Sequence, residues 1–278
     1  MKINKGFIVA VITAMFTGAG GFAQVRELNV PSPHQHAPAR IIATSEDSKS
    51  SNSTNWSGYV VTGASGSVTS VTGSWIIPAT TCKKGAAAAY SSFWVGMDGW
   101  TSSTVEQTGT DSDCSSGTPA YYAWYEFYPA PSYYAGKLTN LSAGDLMQAT
   151  VSYASTGEFT TTVEDVTKKL SYTATYTPAK TAAVPARTSA EWIAEAPSGS
   201  SGVLPLADFG TVDFGENFTS IANTGFATVS GKTGAIGSFA TAAALDMVTE
   251  SGSSPMATPS ALLDANSSFS VKWVGVGP

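Results

Sequence analysis

From Asn55 onward the apolar residues of this chain alternate with Ser, Thr and Gly instead of recurring every three or four positions. A period of two is the signature of strands that bury one face, since successive side chains point to opposite sides of a sheet. Residues 68–77 read as a strand stopped by Pro78, and residues 121–128 as another stopped by Pro129. Further strands are expected at 146–153, 159–166, 170–176, 190–195, 208–214, 226–229, 244–248 and 269–274, with Gly, Asn, Asp, Ser or Pro between nearly all of them. No stretch carries a convincing amphipathic helix. The nearest, 238–247, is alanine-rich and short, and reads equally as a loop feeding a strand. Many short strands at close spacing predict an antiparallel sandwich or barrel, and residues 51–278 suit one undivided domain.

The chain before Asn55 has a different character. Lys2 and Lys5 precede an uncharged, mostly apolar run from Gly6 to Phe22 and a small residue, Ala23. This is the layout of a secretory signal peptide over residues 1–23, which predicts export. A membrane anchor is the competing reading, but the run is short and interrupted by Gly and Thr, and no later stretch is long enough to span a bilayer. No membrane association is therefore expected once the signal is removed. Residues 24–50 contain Pro31, Pro33, Pro38, His34 and His36, then the polar run Ser45-Glu46-Asp47-Ser48-Lys49-Ser50. With neither strand nor helix periodicity they read as a disordered linker or a short pro-segment.

His34 and His36 are the only two histidines in the chain. If the segment is trimmed, the mature domain has none, which removes Ser-His-Asp and Cys-His catalysis and the usual zinc hydrolases. The His-x-His pair itself, with no Cys or acidic neighbour, reads as solvated side chains, so no metal and no cofactor are expected. From Ser51 to the end there are 9 Lys/Arg and 17 Asp/Glu, a balance of 9 − 17 = −8. With no basic stripe, nucleic acid is excluded as a partner. A domain with so few charges also repels itself only modestly when its carboxylates protonate, which suits work in acid. The two cysteines, Cys82 and Cys114, most simply form one disulfide in an exported chain.

Hydrolytic chemistry without histidine falls to carboxylates and amides. A glutamate can act as general base toward water, and a side-chain amide, neutral at every pH, can donate to a developing oxyanion. In the strand over 121–128, Tyr122, Trp124, Glu126 and Tyr128 share one face. Glu126 is thus either a partly buried structural acid or a wall of a substrate cleft. In the strand over 190–195, Glu191, Ile193 and Glu195 share a face, and Glu191 reads either as a catalytic acid or as a solubilising charge on an edge strand.

Five motifs sharpen these choices. Asn55-Trp56, Trp94-Val95-Gly96-Met97-Asp98-Gly99, Gln107-Thr108-Gly109, Ala123-Trp124-Tyr125-Glu126-Phe127-Tyr128-Pro129 and Ala190-Glu191-Trp192-Ile193 occur in an order and spacing that resemble the glutamic peptidases, or eqolisins. The similarity runs from about Asn55 through Phe214 and more thinly beyond. It implies an all-β, concanavalin A-like sandwich of two curved antiparallel sheets, monomeric, with the concave face as cleft. It also implies a secreted acid endopeptidase acting on polypeptides without a cofactor. By matching positions, Glu191 is expected to be the general base and Gln107 the residue that holds the water and stabilises the oxyanion. Trp56, Trp94, Asp98 and Glu126 are expected to line or support the cleft. Two positions depart from the family pattern: Tyr122 stands where an aspartate is usual, and Ser189 where asparagine often precedes Ala-Glu. The competing readings are a glycoside hydrolase with Glu126 and Glu191 as its acid pair, and a non-catalytic carbohydrate-binding module.

Overall fold

The computed structural model describes residues 30–47, 49–179, 184–263 and 265–278. The signal-peptide reading of residues 1–23 lies outside the described residues. The described chain folds as a sandwich of two sheets. The front sheet is built from β1 (Ile41–Thr44), β2 (Ser50–Ser53), β3 (Trp56–Thr62), β5 (Ser92–Met97), β6 (Val105–Ser115), β7 (Thr118–Tyr128), β8 (Tyr133–Tyr134), β12 (Ser189–Glu195) and β18 (Ala242–Val248). Its order is β1-β2-β18-β3-β12-β5-β6-β7-β8, antiparallel except where β2 and β18 run parallel. The back sheet contains β4 (Val68–Ile76), β9 (Leu146–Tyr153), β10 (Phe159–Asp165), β11 (Leu170–Tyr176), β16 (Phe226–Val229) and β17 (Lys232–Ala235), in the order β17-β16-β4-β9-β10-β11. A two-stranded hairpin, β13 (Ser198–Gly199) with β14 (Gly202–Val203), follows β12. Three further strands, β15 (Thr211–Phe214), β19 (Pro255–Pro259) and β20 (Phe269–Trp273), join the sheets along one side: β15 pairs with β4 and β20, and β19 pairs with both β18 and β20.

Alternation explains which side chains fill the space between the sheets. Met147, Ala149 and Val151 of β9, and Phe159 and Val163 of β10, point inward to meet Phe93, Val95, Met97, Ala190, Trp192 and Ala194 of the front sheet. The indole N–H of Trp192 donates to the backbone carbonyl of Thr72 at 2.8 Å, and that of Trp75 to the Thr110 hydroxyl at 2.9 Å, so two large rings are buried with their polar atoms satisfied across the layers. Cys82 and Cys114 are bonded, as expected, and tie the loop before β5 to the end of β6.

The back-sheet strands other than β17, together with β7, lie where the sequence placed them to within a few residues. The alanine-rich stretch is a short 3₁₀ turn, Ile236–Ser238, feeding β18. Three long strands of the front sheet, β3, β5 and β6, were absent from the sequence reading, as were the short strands β1, β2, β8, β13, β14, β17 and β19. All six residues of β5 are buried, as are ten of the eleven in β6, because both faces of these central strands are covered. Of residues 24–50, read as a disordered linker or a short pro-segment, the described part (30–47 and 49–50) packs against the domain. Residues 31–40 run extended along the outer face of the front sheet, and β1 pairs with β2.

Candidate active site

The site lies on the outer face of the front sheet, where a second apolar cluster of Trp56, Val60, Trp94, Val105, Tyr122, Trp124 and Ile193 surrounds a row of polar side chains. Register creates that row. Gln107 of β6 pairs with Gly96 of β5 on one side and Glu126 of β7 on the other, and Asp111 pairs with Ser92 and Tyr122. Gly96 is required here: a Cβ on it would sit 2.7 Å from the Trp94 ring and 3.2 Å from the Gln107 Cβ. Trp94 therefore packs close beside Gln107, and Trp56 meets it edge-on at 4.9 Å between ring centroids.

Across this face lies the chain's own segment, held chiefly by its peptide groups. Gln35 and Ser198 exchange backbone hydrogen bonds of 3.0 and 2.8 Å. The His36 amide donates to Glu126 Oε2 at 2.8 Å, and the His36 carbonyl oxygen accepts from Gln107 Nε2 at 2.5 Å. The next carbonyl, of Ala37, accepts from Trp56 Nε1 at 3.0 Å and Asn55 Nδ2 at 3.3 Å. Ala39 then donates to the Gly99 carbonyl and Arg40 to Asn55 Oδ1.

The histidines are not solvated. The His36 ring is fully buried and stacks on Trp124, with centroids 3.4 Å apart and planes 5° from parallel. Its Nδ1 lies 3.0 Å from Glu126 Oε2 and its Nε2 3.2 Å from Asp111 Oδ1. Burial opposes its positive charge, but Asp111 and Glu126 outweigh that and raise its pKa to about 10. Burial likewise opposes ionisation of Asp111, and His36 overcomes it, holding that carboxyl below its ordinary value. His34 packs against Tyr90 and bonds Asp113 at 3.1 Å. The Tyr122 hydroxyl sits between Asp111 and Asp113 at 2.9 and 2.8 Å, so the residue replacing the family's usual aspartate organises two others. Ligand atoms of His34, Asp111 and Asp113 lie within 4.8 Å of one another, but each of these side chains is engaged with another of the group or with Tyr122.

Register sets Glu191 in the same row as Gln107, with Gly96 between them, but no hydrogen bond joins the two side chains. Glu191 is fully buried on a central strand, not at an edge, because β12 is flanked by β3 and β5. Neither of its oxygens has a hydrogen-bond partner, and the acids near it are Asp98 and Glu106. Burial, with those two charges, pushes its carboxyl well above the usual range. Glu195, four residues further along the same face, is the glutamate bonded to Trp94. Its Oε2 accepts from Trp94 Nε1 at 2.8 Å, its Oε1 is unpartnered, and the charges it senses are His36, Glu126 and Asp111. Burial raises its carboxyl well above the ordinary value. Asp98 accepts from the amides of Arg187 and Thr188 at 2.7 and 2.9 Å, so it anchors the entry to β12 instead of facing the groove. Sequence reasoning missed Glu195, Asp111, Asn55 and His36 as members of the site. The period of two already set Glu195 beside Glu191, and Asp111 four residues after Gln107 on the same strand face.

The fold is thus a β-sandwich with an acid-lined groove, in which a side-chain amide donates to a peptide carbonyl laid across it. Residues 54–273 match the model of the Peptidase A4 family, and the chain belongs to that family. It is 33% identical to aspergillopepsin-2 of Aspergillus niger over 180 residues, which is 58% of this chain and 62% of that protein. It is 30% identical to scytalidopepsin B of Scytalidium lignicola over 196 residues, 69% of this chain and 70% of that one. Among solved structures, scytalido-glutamic peptidase with a transition state analog inhibitor superposes with a TM-score of 0.62 at 25% identity, covering 80% of this chain and 98% of that one. Aspergilloglutamic peptidase from Aspergillus niger does so with a TM-score of 0.55 at 31% identity, covering 67% and 99%. Residues 31–40, which fill the groove, precede the matched region.

Proposed function

We propose that the protein is a secreted acid endopeptidase in which Gln107 and Glu195, not Gln107 and Glu191, carry the chemistry. The observation behind this is the peptide carbonyl of His36 accepting from Gln107 Nε2 in a groove that grips a polypeptide by successive backbone groups, with the Glu195 carboxyl bonded to Trp94 on the same sheet face. The same gripping of peptide groups favours a polypeptide over a sugar chain. In the working enzyme a substrate peptide takes the place of residues 31–40. Ionised Glu195, oriented by the Trp94 N–H, removes a proton from water as its oxygen attacks the carbonyl carbon. Gln107 donates to the oxygen that becomes negative, and, having no titrating group, does so at any pH. Glu195 then passes its proton to the departing amine. Glu126, next to Gln107 at 3.3 Å, binds the amide N–H on the acyl side. Trp56 and Asn55 hold the carbonyl on the amine side.

Export is supported by the signal-peptide pattern and the disulfide, and among the described residues no helix is long and apolar enough to cross a membrane. The test is digestion of a denatured protein from about pH 2 to 7, the range over which carboxylates ionise. Acid activity that resists pepstatin and a chelator, and falls about 100- to 1,000-fold in Gln107→Ala, is the expected result, as removal of one oxyanion donor predicts. Undiminished activity in that variant would contradict the assignment.

A further inference from the structure

An open sheet ends in strands whose backbone groups are unpaired on one side, and proteins blunt such edges by keeping them short or by placing Lys, Pro or a bulge on them. Three of the outer strands here are short: β1 and β17 have four residues each and β8 has two. The fourth, β11, is Leu170-Ser171-Tyr172-Thr173-Ala174-Thr175-Tyr176, seven residues with no charge and no proline, and its register with β10 is unbroken throughout. Among the described residues β10 is its one strand partner. Leu170 is 44% exposed, an apolar side chain that its own fold does not cover. On the side toward the front sheet, Tyr172, Ala174 and Tyr176 line a cleft of about 330 Å³ with Tyr125, Phe127 and Tyr133, Tyr172 stacking on Tyr125 and Tyr176 on Phe127.

The sequence of this edge is complementary to itself. Turned about a two-fold axis through Thr173, an antiparallel second copy of β11 sets Thr173 opposite Thr173, Ser171 opposite Thr175, Tyr172 opposite Ala174 and Leu170 opposite Tyr176. The exposed face then pairs hydroxyl side chains with one another, and the inner face pairs a large side chain with a small one and leucine with an aromatic ring, combinations that stabilise antiparallel neighbours. Leu170 is covered by the Tyr176 ring at the mouth of the aromatic cleft. Lys169, four residues from the axis, lies roughly 27 Å from its own copy, well beyond the screening length. We propose that the protein forms a two-fold dimer through β11, in place of the monomer that the family resemblance leads one to expect, joining two back sheets into one continuous sheet. Such a contact closes on itself, and the groove, on the outer face of the other sheet, takes no part in it.

Sedimentation equilibrium of the purified protein at increasing concentration is expected to show a monomer–dimer equilibrium. Thr173→Lys, which sets two like charges opposite each other on the axis, is expected to weaken the dimer at least about tenfold while leaving digestion of a denatured protein unchanged. The native cysteines are bonded to each other, so an introduced thiol is the single free one. Thr173→Cys therefore reports the register: opposite its own copy it falls within disulfide distance, and mild oxidation links the chains, whereas Ser171→Cys, whose copies lie about 14 Å apart, stays unlinked. A chain that is monomeric at every concentration overturns the proposal, as does a dimer that Thr173→Lys leaves intact or one in which both cysteine variants crosslink alike. If the chain is monomeric and Thr173→Lys instead raises the KM for a denatured protein, the edge holds a strand of substrate and the proposal fails in the same way.

Discussion

The ladder β9-β10-β11 and the ladder β12-β5-β6 come from one chain and one sandwich, yet their sequences look unlike each other. In β9 and β10 buried and half-buried positions alternate nearly without fault, because one side faces the core and the other water. In β12, β5 and β6 almost every position is buried, because core covers one side, and Trp56, Trp94, Trp124 and residues 31–40 cover the other. The outer row of the second ladder is polar all the same: Gln107, Asp111, Glu191 and Glu195 are completely buried. Buried polar groups cost free energy unless partnered, so such a row persists where it is put to use. One sheet is stable because it is patterned; the other carries chemistry and has its pattern overwritten.

The largest expected difference between the regions is in stability. Trp192→Ala empties a fully buried ring from between the sheets and is expected to destabilise the fold by about 3–5 kcal/mol. Tyr172→Ala on β11, half-buried and stacked on Tyr125, is expected to cost only about 1 kcal/mol. Urea unfolding of both variants checks this, and equal losses would mean that the two ladders are not distinct. Next in size, Cys82→Ser with Cys114→Ser frees a loop of 32 residues and is expected to lose roughly 3 kcal/mol in thermal or urea unfolding.

A smaller effect concerns the segment over the groove. His36, with its pKa raised to about 10, favours docking fully below its free value and loses that contribution as pH rises toward 10. Asp111, held low by His36, favours docking above the ordinary aspartate range and loses that contribution as pH falls through it. Glu126 and Glu195, raised by burial, bind protons more readily in the docked state and so favour docking as pH falls. The His36–Asp111 contribution is greatest between the ordinary carboxylate and histidine values and, being an ion pair buried at the centre of the contact, is the one expected to dominate. Hydrogen exchange of the Gln35 and Ala39 amides in Glu195→Gln, followed against pH, should show slowest exchange in that window; protection that increases steadily into acid would oppose the scheme.

The same contrast explains what could be read in advance. The back sheet, β7, the disulfide and the family's motifs were legible because period, proline stops and cysteine count are local signals. β3, β5 and β6 were not, since a strand covered on both faces has no alternation to detect. The role given to Glu191 followed from its place in a motif. Register alone does not separate the two, since Glu191 and Gln107 both pair with Gly96; what singles out Glu195 is the Trp94 N–H that reaches it, a contact between residues 101 apart in sequence. The reading of the two histidines as solvated failed because His36 is buried by Glu126, Asp111 and Trp124 and His34 by Asp113 and Tyr90, none of them near in sequence.

The chemistry turns on which glutamate works. The direct measurement is acid proteolysis by Glu195→Gln beside Glu191→Gln, each produced without residues 1–36 so that the segment over the groove does not intervene, and each checked for folding. Glu195→Gln is expected to lose at least about 100-fold in activity, as loss of a general base does. Glu191→Gln, which removes a carboxyl that bonds neither Gln107 nor the segment in the groove, is expected to stay within about tenfold of the parent. Full activity in Glu195→Gln together with its disappearance in Glu191→Gln would contradict the assignment of Glu195 as the base.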